Sequence, residues 1–236
     1  MSIIYLIRHA QASFGQANYD RLSDLGQCQA KILADHFQAL DLEFDAIYSG
    51  GQLRHEQTLA AYLKKFSKPE NAMPPVHKTD AFNEYNSENI LKTLIPEMIR
   101  DDAAFETDVT MMLADKRSFQ TVYEKVMRKW INSENPANNL GTWKTYSNRV
   151  RTGLDEIMAS AGAGKKIAVF TSGGPISVCV QKALSLSDGN TLQLTWQIMN
   201  TSITRLKYSG NQMALFGFND VTHLEIAKDE QLLTYR

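Results

Sequence analysis

The chain has 236 residues, of which 43% are hydrophobic and 22% are charged, as is typical of a soluble globular protein. Its 25 lysines and arginines nearly balance 26 aspartates and glutamates, and this balance excludes recognition of nucleic acid or an anionic membrane by overall charge. No apolar run approaches the roughly 20 residues that span a bilayer, and Arg8-His9 interrupts the N-terminal apolar run before it resembles a signal peptide, so we expect a cytoplasmic protein.

The first predicted element is a strand at residues 3–7. Ile3-Ile4-Tyr5-Leu6-Ile7 is an apolar run too short for a helix and typical of a buried strand in a parallel sheet. Arg8 and His9 follow it directly, at the edge where open α/β sheets bind their ligands. Arg8 offers a planar cation suited to phosphate or carboxylate, and His9 offers a nucleophile, base or acid.

A second arginine follows a second predicted strand. Ser23 is a favoured N-cap residue, and apolar residues after it recur with helical spacing as far as Leu40. Residues 44–48 then form a short apolar run that predicts the next strand. Beyond this strand, Gly50-Gly51 and Arg54 lead into another helix. An arginine thus recurs at the carboxyl end of a strand.

The middle of the chain has the pattern of a helical insertion. Glu84 lies just before it, on a predicted loop between Phe82 and Tyr85. From about residue 87 to residue 142, apolar residues recur at spacings of three and four, and no strand pattern interrupts them. We therefore expect a mostly helical insertion at 87–142, with a break between two helices near Ser118.

A third strand meets a helix near residue 171. Residues 167–170 predict a strand, and Thr171-Ser172-Gly173-Gly174-Pro175 follows it. Because proline is favoured at the first position of a helix, we expect a helix from this segment to Leu186. The free N–H groups and the positive dipole at such a helix start suit an anion.

Strands at 202–208 and 212–218 complete the pattern. Strands that alternate with helices predict an α/β fold, here a three-layer α/β/α sandwich with a mostly parallel central sheet and a helical insertion. We expect one domain over residues 1–236. The polar residues at the three strand ends would then meet at one edge of the sheet and form a phosphate-sized anion site.

These residues resemble the motifs of the histidine phosphatase superfamily, the phosphoglycerate-mutase-like group. The likeness runs along the whole chain and is weakest at 87–142. The matching segments are Leu6-Ile7-Arg8-His9, Tyr48-Ser49 with Leu53-Arg54 and Gln57-Thr58, Asn83-Glu84-Tyr85, and Phe170 to Pro175. Ala10 departs from the first motif, where the family usually has glycine.

The resemblance implies a phosphatase that works through a phosphohistidine intermediate. His9 would attack phosphorus, and Glu84 would protonate the leaving alkoxide and then activate water. The phosphate-binding residues would be Arg8, Arg54, Ser172 and Gly173. Two guanidiniums can neutralise the phosphoryl charge, so no metal and no cofactor are implied. The expected partner is a small phosphorylated substrate, with no nucleic acid and no membrane; substrate identity and oligomeric state stay open.

Ser172 is the main departure from the family pattern, which has a second histidine at this position. A serine keeps a neutral donor but loses reach and positive charge. Loss of one preorganised donor costs roughly 3–4 kcal/mol of transition-state stabilisation, and a serine that still donates should lose less. We therefore expect reduced or altered catalysis. His55 and His223 are the candidates to supply the missing imidazole.

Three alternatives stay open from the sequence alone. A catalytically degenerate member would bind a phosphorylated ligand without turnover, and Ser172 is the main support for this reading. A phosphomutase is less favoured, because Tyr85-Asn86-Ser87 follows Glu84 where the mutase branch has Arg-His-Tyr-Gly. A serine hydrolase is the least favoured, because Phe170 stands where a nucleophile elbow has glycine.

Overall fold

The strand before His9, β1 (Ser2–Arg8), lies inside a six-stranded sheet with the order β3-β2-β4-β1-β5-β6. The computed structural model describes residues 1–13, 19–66, 69, 73–112, 114–134 and 140–235. The other strands are β2 (Ala46–Ser49), β3 (Val76–Lys78), β4 (Lys166–Thr171), β5 (Ile203–Ser209) and β6 (Gln212–Asp220). Three of the five strand pairs are parallel; β5 runs antiparallel to β1 and to β6.

Helices cover both faces of the sheet. They are α1 (Asp24–Ala39), α2 (Leu53–Lys65), α3 (Ser87–Asp101), α4 (Phe105–Met111), α5 (Lys116–Ile131), α6 (Trp143–Ser160), α7 (Gly173–Leu184), α8 (Asp188–Thr195) and α9 (Thr222–Glu225). Among the described residues, no helix is long and apolar enough to cross a membrane. The predicted α/β fold with a mostly parallel sheet is confirmed.

The apolar run of β1 packs into two separate cores, one on each side of the sheet. Leu6 joins one core with Val150 of α6 and Val180 of α7. Ile7 joins the other core with Phe37 of α1 and Tyr62 of α2. Successive strand side chains point to opposite faces. A strand that is covered on both faces therefore needs the unbroken apolar sequence that β1 has.

The structure differs from the sequence prediction at two helix boundaries and at one short strand. The helix break expected near Ser118 lies earlier, because Asp115 caps α5 by accepting hydrogen bonds from the N–H groups of Arg117 and Ser118. The helix expected to start at Pro175 starts two residues earlier, at Gly173. β3 was not predicted, because its three residues are exposed and show no alternation.

A buried amide joins the segment after β1 to the C-terminal segment. Gln29 of α1 is fully buried. Its Oε1 accepts a hydrogen bond from Gln11 N at 2.8 Å, and its Nε2 donates to Leu232 O and to Thr234 Oγ1, each at 2.8 Å. Thr234 Oγ1 in turn donates to Asn200 Oδ1 at 2.9 Å. One side chain thus satisfies polar groups of two distant segments.

We predict that Gln29→Leu destabilises the protein by about 3 kcal/mol. The leucine leaves Gln11 N and Leu232 O buried without their partner, and each such loss costs roughly 1–3 kcal/mol. Urea unfolding followed by circular dichroism measures the change. Gln27→Leu, on the exposed face of the same helix, is the matched control and should change the free energy of unfolding by less than about 0.5 kcal/mol. Equal effects of the two changes would contradict this prediction.

Candidate active site

A cavity of about 830 Å³ opens at the carboxyl ends of the parallel strands. Five of the six predicted site residues line it: Arg8, His9, Arg54, Glu84 and Gly173. Arg8 ends β1 and Gly173 follows β4, while Arg54 lies in the first turn of α2, just after β2. The strand ends bring together residues that lie up to 165 positions apart in the chain.

Hydrogen bonds define the tautomer of His9, which is 6% exposed. Its Nδ1 lies 2.7 Å from Ala10 O, and a carbonyl oxygen can only accept a hydrogen bond, so Nδ1 carries the proton. Its Nε2 accepts a hydrogen bond from Arg54 Nε at 3.1 Å. Nε2 is therefore the unprotonated nitrogen, and its lone pair accepts the hydrogen bond from Arg54.

The surroundings of His9 favour the neutral ring. Burial, and then the charges of Arg54 and Arg8, lower the pKa of His9 well below its usual value of 6.5. The imidazole therefore stays unprotonated at neutral pH and below. A neutral imidazole between two cations can attack an electrophile that itself carries negative charge.

Arg54 is held in place by three partners. Besides His9, its Nη1 forms an ion pair with Asp20 Oδ1 at 2.5 Å, and its Nη2 donates to Ser172 Oγ at 3.5 Å. Asp20 Oδ2 also accepts a hydrogen bond from Leu53 N at 2.7 Å, at the start of α2. Asp20 thus fixes both the guanidinium and the helix end that carries it.

Only two of the three guanidinium nitrogens of Arg8 donate hydrogen bonds to described residues of the protein. Its Nη1 donates to Ile198 O, and its Nη2 donates to Tyr235 O at 2.7 Å. Its Nε is buried and has no hydrogen-bond partner among the described residues. A β-carbon added at Gly173 would lie 4.0 Å from this Nε, so the two residues are neighbours. Burial lowers the pKa of Arg8 to about 10, and the guanidinium is still charged at neutral pH.

Glu84 is anchored against the start of α7. Its Oε2 accepts a hydrogen bond from Gly174 N at 3.0 Å, and its Oε1 accepts one from the Tyr146 hydroxyl at 3.1 Å. Burial raises the pKa of Tyr146 well above 10, so its hydroxyl keeps its proton. A β-carbon at Gly174 would lie 2.1 Å from Glu84 Oε1; only glycine lets the carboxylate come this close.

Ser172 lies elsewhere than expected for a phosphate-binding residue. It is 1% exposed and is not among the residues that line the cavity. Its Oγ accepts the 3.5 Å hydrogen bond from Arg54 and lies 2.7 Å from His55 Nε2. The hydroxyl therefore contacts Arg54 without lining the cavity.

The two candidate replacement histidines have different surroundings. His55 is fully buried, and its ring centroid lies 5.6 Å from that of His9. His223 instead lies 3.0 Å from Thr201 Oγ1 and packs against His36, with ring centroids 5.4 Å apart. Neither lines the cavity. Within the ranges that the structure describes, no three His, Cys, Asp or Glu side chains group closely enough to hold a metal ion.

Several residues that organise the site escaped the sequence analysis. Asp20 and Tyr146 hold Arg54 and Glu84, respectively, and Asn200 Nδ2 donates to His9 O at 3.0 Å. These contacts join distant segments, and no local pattern marks them.

The comparison with family models agrees with this geometry. The model of the histidine phosphatase superfamily (branch 1) matches residues 4–106 and 106–221. The chain therefore belongs to the histidine phosphatase superfamily. No curated protein matches it significantly in sequence.

Solved structures with a similar fold include phosphatases and a mutase. A mycobacterial glucosyl-3-phosphoglycerate phosphatase with inorganic phosphate has a TM-score of 0.63 at 18% identity, over 94% of this chain and 98% of its own. Phosphoserine phosphatase from Entamoeba histolytica has a TM-score of 0.62 at 17% identity, over 95% and 100%. Phosphoglycerate mutase from Bacillus anthracis has a TM-score of 0.61 at 17% identity, over 97% of each chain. At these identities the likeness shows the fold.

We predict that His223 makes the protein less stable in acid. Burial lowers its pKa to about 4 in the folded state, whereas the unfolded value is 6.5. Between these values the unfolded chain binds a proton that the folded chain does not, so stability falls as the pH drops from 6.5 to 4. The contribution is about 3 kcal/mol, at 1.36 kcal/mol per pH unit.

Urea unfolding at pH 7, 5.5 and 4 measures this effect. Between pH 7 and pH 4, His223→Gln should lose less stability than the wild type does. The difference should be most of the contribution of about 3 kcal/mol. His77→Gln changes an exposed histidine and should follow the wild-type curve. Parallel pH curves for the wild type and His223→Gln would show that His223 is not the group that titrates.

Proposed function

We propose that the protein is a phosphomonoester hydrolase that works through a phosphohistidine on His9. One observation carries this proposal: the unprotonated Nε2 of His9 accepts a hydrogen bond from Arg54, and Arg8 and Glu84 line the same cavity. A nucleophile, two cations and an acid–base group are the parts that phosphoryl transfer needs.

In the first half-reaction, His9 Nε2 attacks phosphorus and the bond from phosphorus to the ester oxygen breaks. Arg8 and Arg54 neutralise the charge on the phosphoryl oxygens, and Gly173 N at the start of α7 adds a backbone donor. Arg54 Nε exchanges its hydrogen bond with His9 for one with the incoming phosphate. Protonated Glu84 gives its proton to the leaving alkoxide.

In the second half-reaction, the Glu84 carboxylate takes a proton from water as the water oxygen attacks phosphorus. The P–N bond breaks, phosphate leaves, and Nε2 regains its lone pair. The hydrogen bond from Nδ1 to Ala10 O persists through both steps and stabilises the positive charge on the phosphorylated ring.

We further infer that Ser172 and His55 act through Arg54 and do not contact the phosphate. Ser172 Oγ accepts a hydrogen bond from Arg54. The same hydroxyl forms a hydrogen bond with His55 Nε2. Burial and the charge of Arg54 lower the pKa of His55 well below 6.5, so this ring is neutral and adds no charge. Charge neutralisation then rests on the two arginines, and catalysis should be slower than with a second histidine at the phosphate.

The structural neighbours support hydrolysis as the reaction. Two of them are a phosphoserine phosphatase and a glucosyl-3-phosphoglycerate phosphatase. The mutase among them has the same fold, so fold alone does not separate the two reactions. The segment after Glu84, Tyr85-Asn86-Ser87, lacks the Arg-His-Tyr-Gly sequence of the mutase branch and favours the hydrolase.

We predict that His9→Ala abolishes hydrolysis of p-nitrophenyl phosphate and formation of an acid-labile phosphoenzyme. Glu84→Gln should lower kcat roughly 10²–10⁴-fold, because proton transfer is lost. This variant should still release one burst of p-nitrophenolate, which leaves without a proton, and should then accumulate phosphohistidine. Stopped-flow absorbance and ³²P labelling measure the two effects.

Other results of the same experiment would contradict the proposal. A wild-type protein that binds inorganic phosphate in calorimetry but hydrolyses no ester would be a phospho-ligand-binding protein. Transfer of label to an isomerised phosphoglycerate, with no free phosphate, would make it a mutase. Hydrolysis that survives His9→Ala and is blocked by a serine-reactive organophosphonate would make Ser172 the nucleophile.

We also predict that Ser172→His alone lowers kcat/KM, because His55 Nε2 already lies 2.7 Å from the serine oxygen. Removing His55 gives room for an imidazole at position 172, so Ser172→His/His55→Ala should recover at least tenfold over the single change. His55→Ala alone is the control, and melting temperatures separate catalytic from folding effects. If Ser172→His alone raises kcat/KM as much as the pair does, His55 does not occupy that space.

A further inference from the structure

Aromatic rings form the cavity wall beyond the phosphate-binding residues. Besides Leu91, this wall consists of Tyr19, Tyr85, Phe119, Tyr123, Trp196 and Tyr235. At about 830 Å³ the cavity is as large as sites that hold drug-sized ligands. A phosphoryl group on a three-carbon acid would leave most of this volume to water. The size and the wall together fit a larger, apolar group on the ester oxygen.

The aromatic wall is held firmly by its neighbours. Phe119 and Tyr123, one turn apart on α5, stack with ring centroids 5.9 Å apart. The hydroxyls of Tyr85 and Tyr123 lie 3.4 Å apart, and the Tyr85 ring packs on Trp130 in the core. Burial raises the pKa of Tyr85 well above 10 and that of Tyr123 to about 12, so both rings are uncharged. The wall therefore presents preformed, neutral ring surface.

The charges around the cavity disfavour a second acidic group on the substrate. Among the described lining residues, Arg8 and Arg54 are the cations, and the proposed reaction uses both at one phosphoryl group. The lining carboxylates away from them are Glu88 and Glu124. Glu88 forms an ion pair with Lys92 at 2.5 Å, and Glu124 accepts a hydrogen bond from Gln120 at 3.3 Å.

A carboxylate or second phosphate in this space would lose water without gaining a cation. It would also meet like charge from Glu124. We propose that the substrate is a phosphate monoester of an aromatic or apolar alcohol with no second acidic group, recognised by the aromatic wall of the cavity. This inference rests on the proposed function and names the substrate class of the same site.

Binding of two matched phosphonates, which have no ester bond to hydrolyse, tests the substrate class apart from turnover. Isothermal titration calorimetry should show that 1-naphthylmethylphosphonate binds at least tenfold more tightly than its 4-carboxylated analogue. Equal or reversed affinities would overturn the inference. If the compound without the carboxylate binds more tightly and no ester is hydrolysed, the proposed hydrolysis is wrong while the recognition stands.

Two variants, each with a matched control, test which residues of the cavity determine the affinities of the two phosphonates. Phe119→Ala should weaken binding of the naphthyl compound roughly tenfold by removing ring contact, whereas Phe216→Ala, at an exposed ring on β6, should not. Glu124→Lys should improve binding of the carboxylated compound at least tenfold. Glu134→Lys makes the same charge change at an exposed position outside the lining and should leave both affinities unchanged. If a variant and its control change the affinities equally, the compounds are not recognised by Phe119 and Glu124.

Discussion

The hydrogen bond between His9 Nδ1 and Ala10 O is the contact on which the site depends. It determines which ring nitrogen carries the proton and therefore which one faces the cavity. Because the acceptor is the carbonyl of the next residue, β1 sets the direction of the ring as it ends. Asn200 donates a hydrogen bond to the carbonyl oxygen of His9 itself and thereby stabilises the same turn. The site is thus built on the end of a strand that packs into both cores of the protein.

Two guanidiniums beside a buried imidazole repel each other, and the structure offsets this repulsion locally. Arg54 has an ion pair with Asp20, and Arg8 is held by the carbonyl oxygens of Ile198 and Tyr235. Carbonyl oxygens orient the guanidinium but leave its full positive charge, and Arg8 Nε still lacks a partner among the described residues. The arrangement suits an anion that binds transiently, because part of its positive charge is left uncompensated.

Position 172, which departs most from the family pattern, can be explained only together with His55. Ser172 alone suggests a lost imidazole, but His55 lies directly behind it and bonds to its hydroxyl. This imidazole is fully buried and neutral, and it supports Arg54 without contributing charge. The second imidazole near His9 therefore contacts the Ser172 hydroxyl and does not line the cavity.

The sequence by itself determined the class of fold, the family, and the three strands β1, β2 and β4 whose ends place Arg8, Arg54 and Gly173. It could do so because apolar runs, helical spacing and the motifs at strand ends are local patterns. Tertiary structure alone decided the partners of these residues: Asp20 for Arg54, Tyr146 for Glu84, His55 for Ser172, and the aromatic wall of α5. Such contacts join segments far apart in the chain, and they depend on where side chains come to lie once both faces of the sheet are packed. No spacing rule within one segment encodes that.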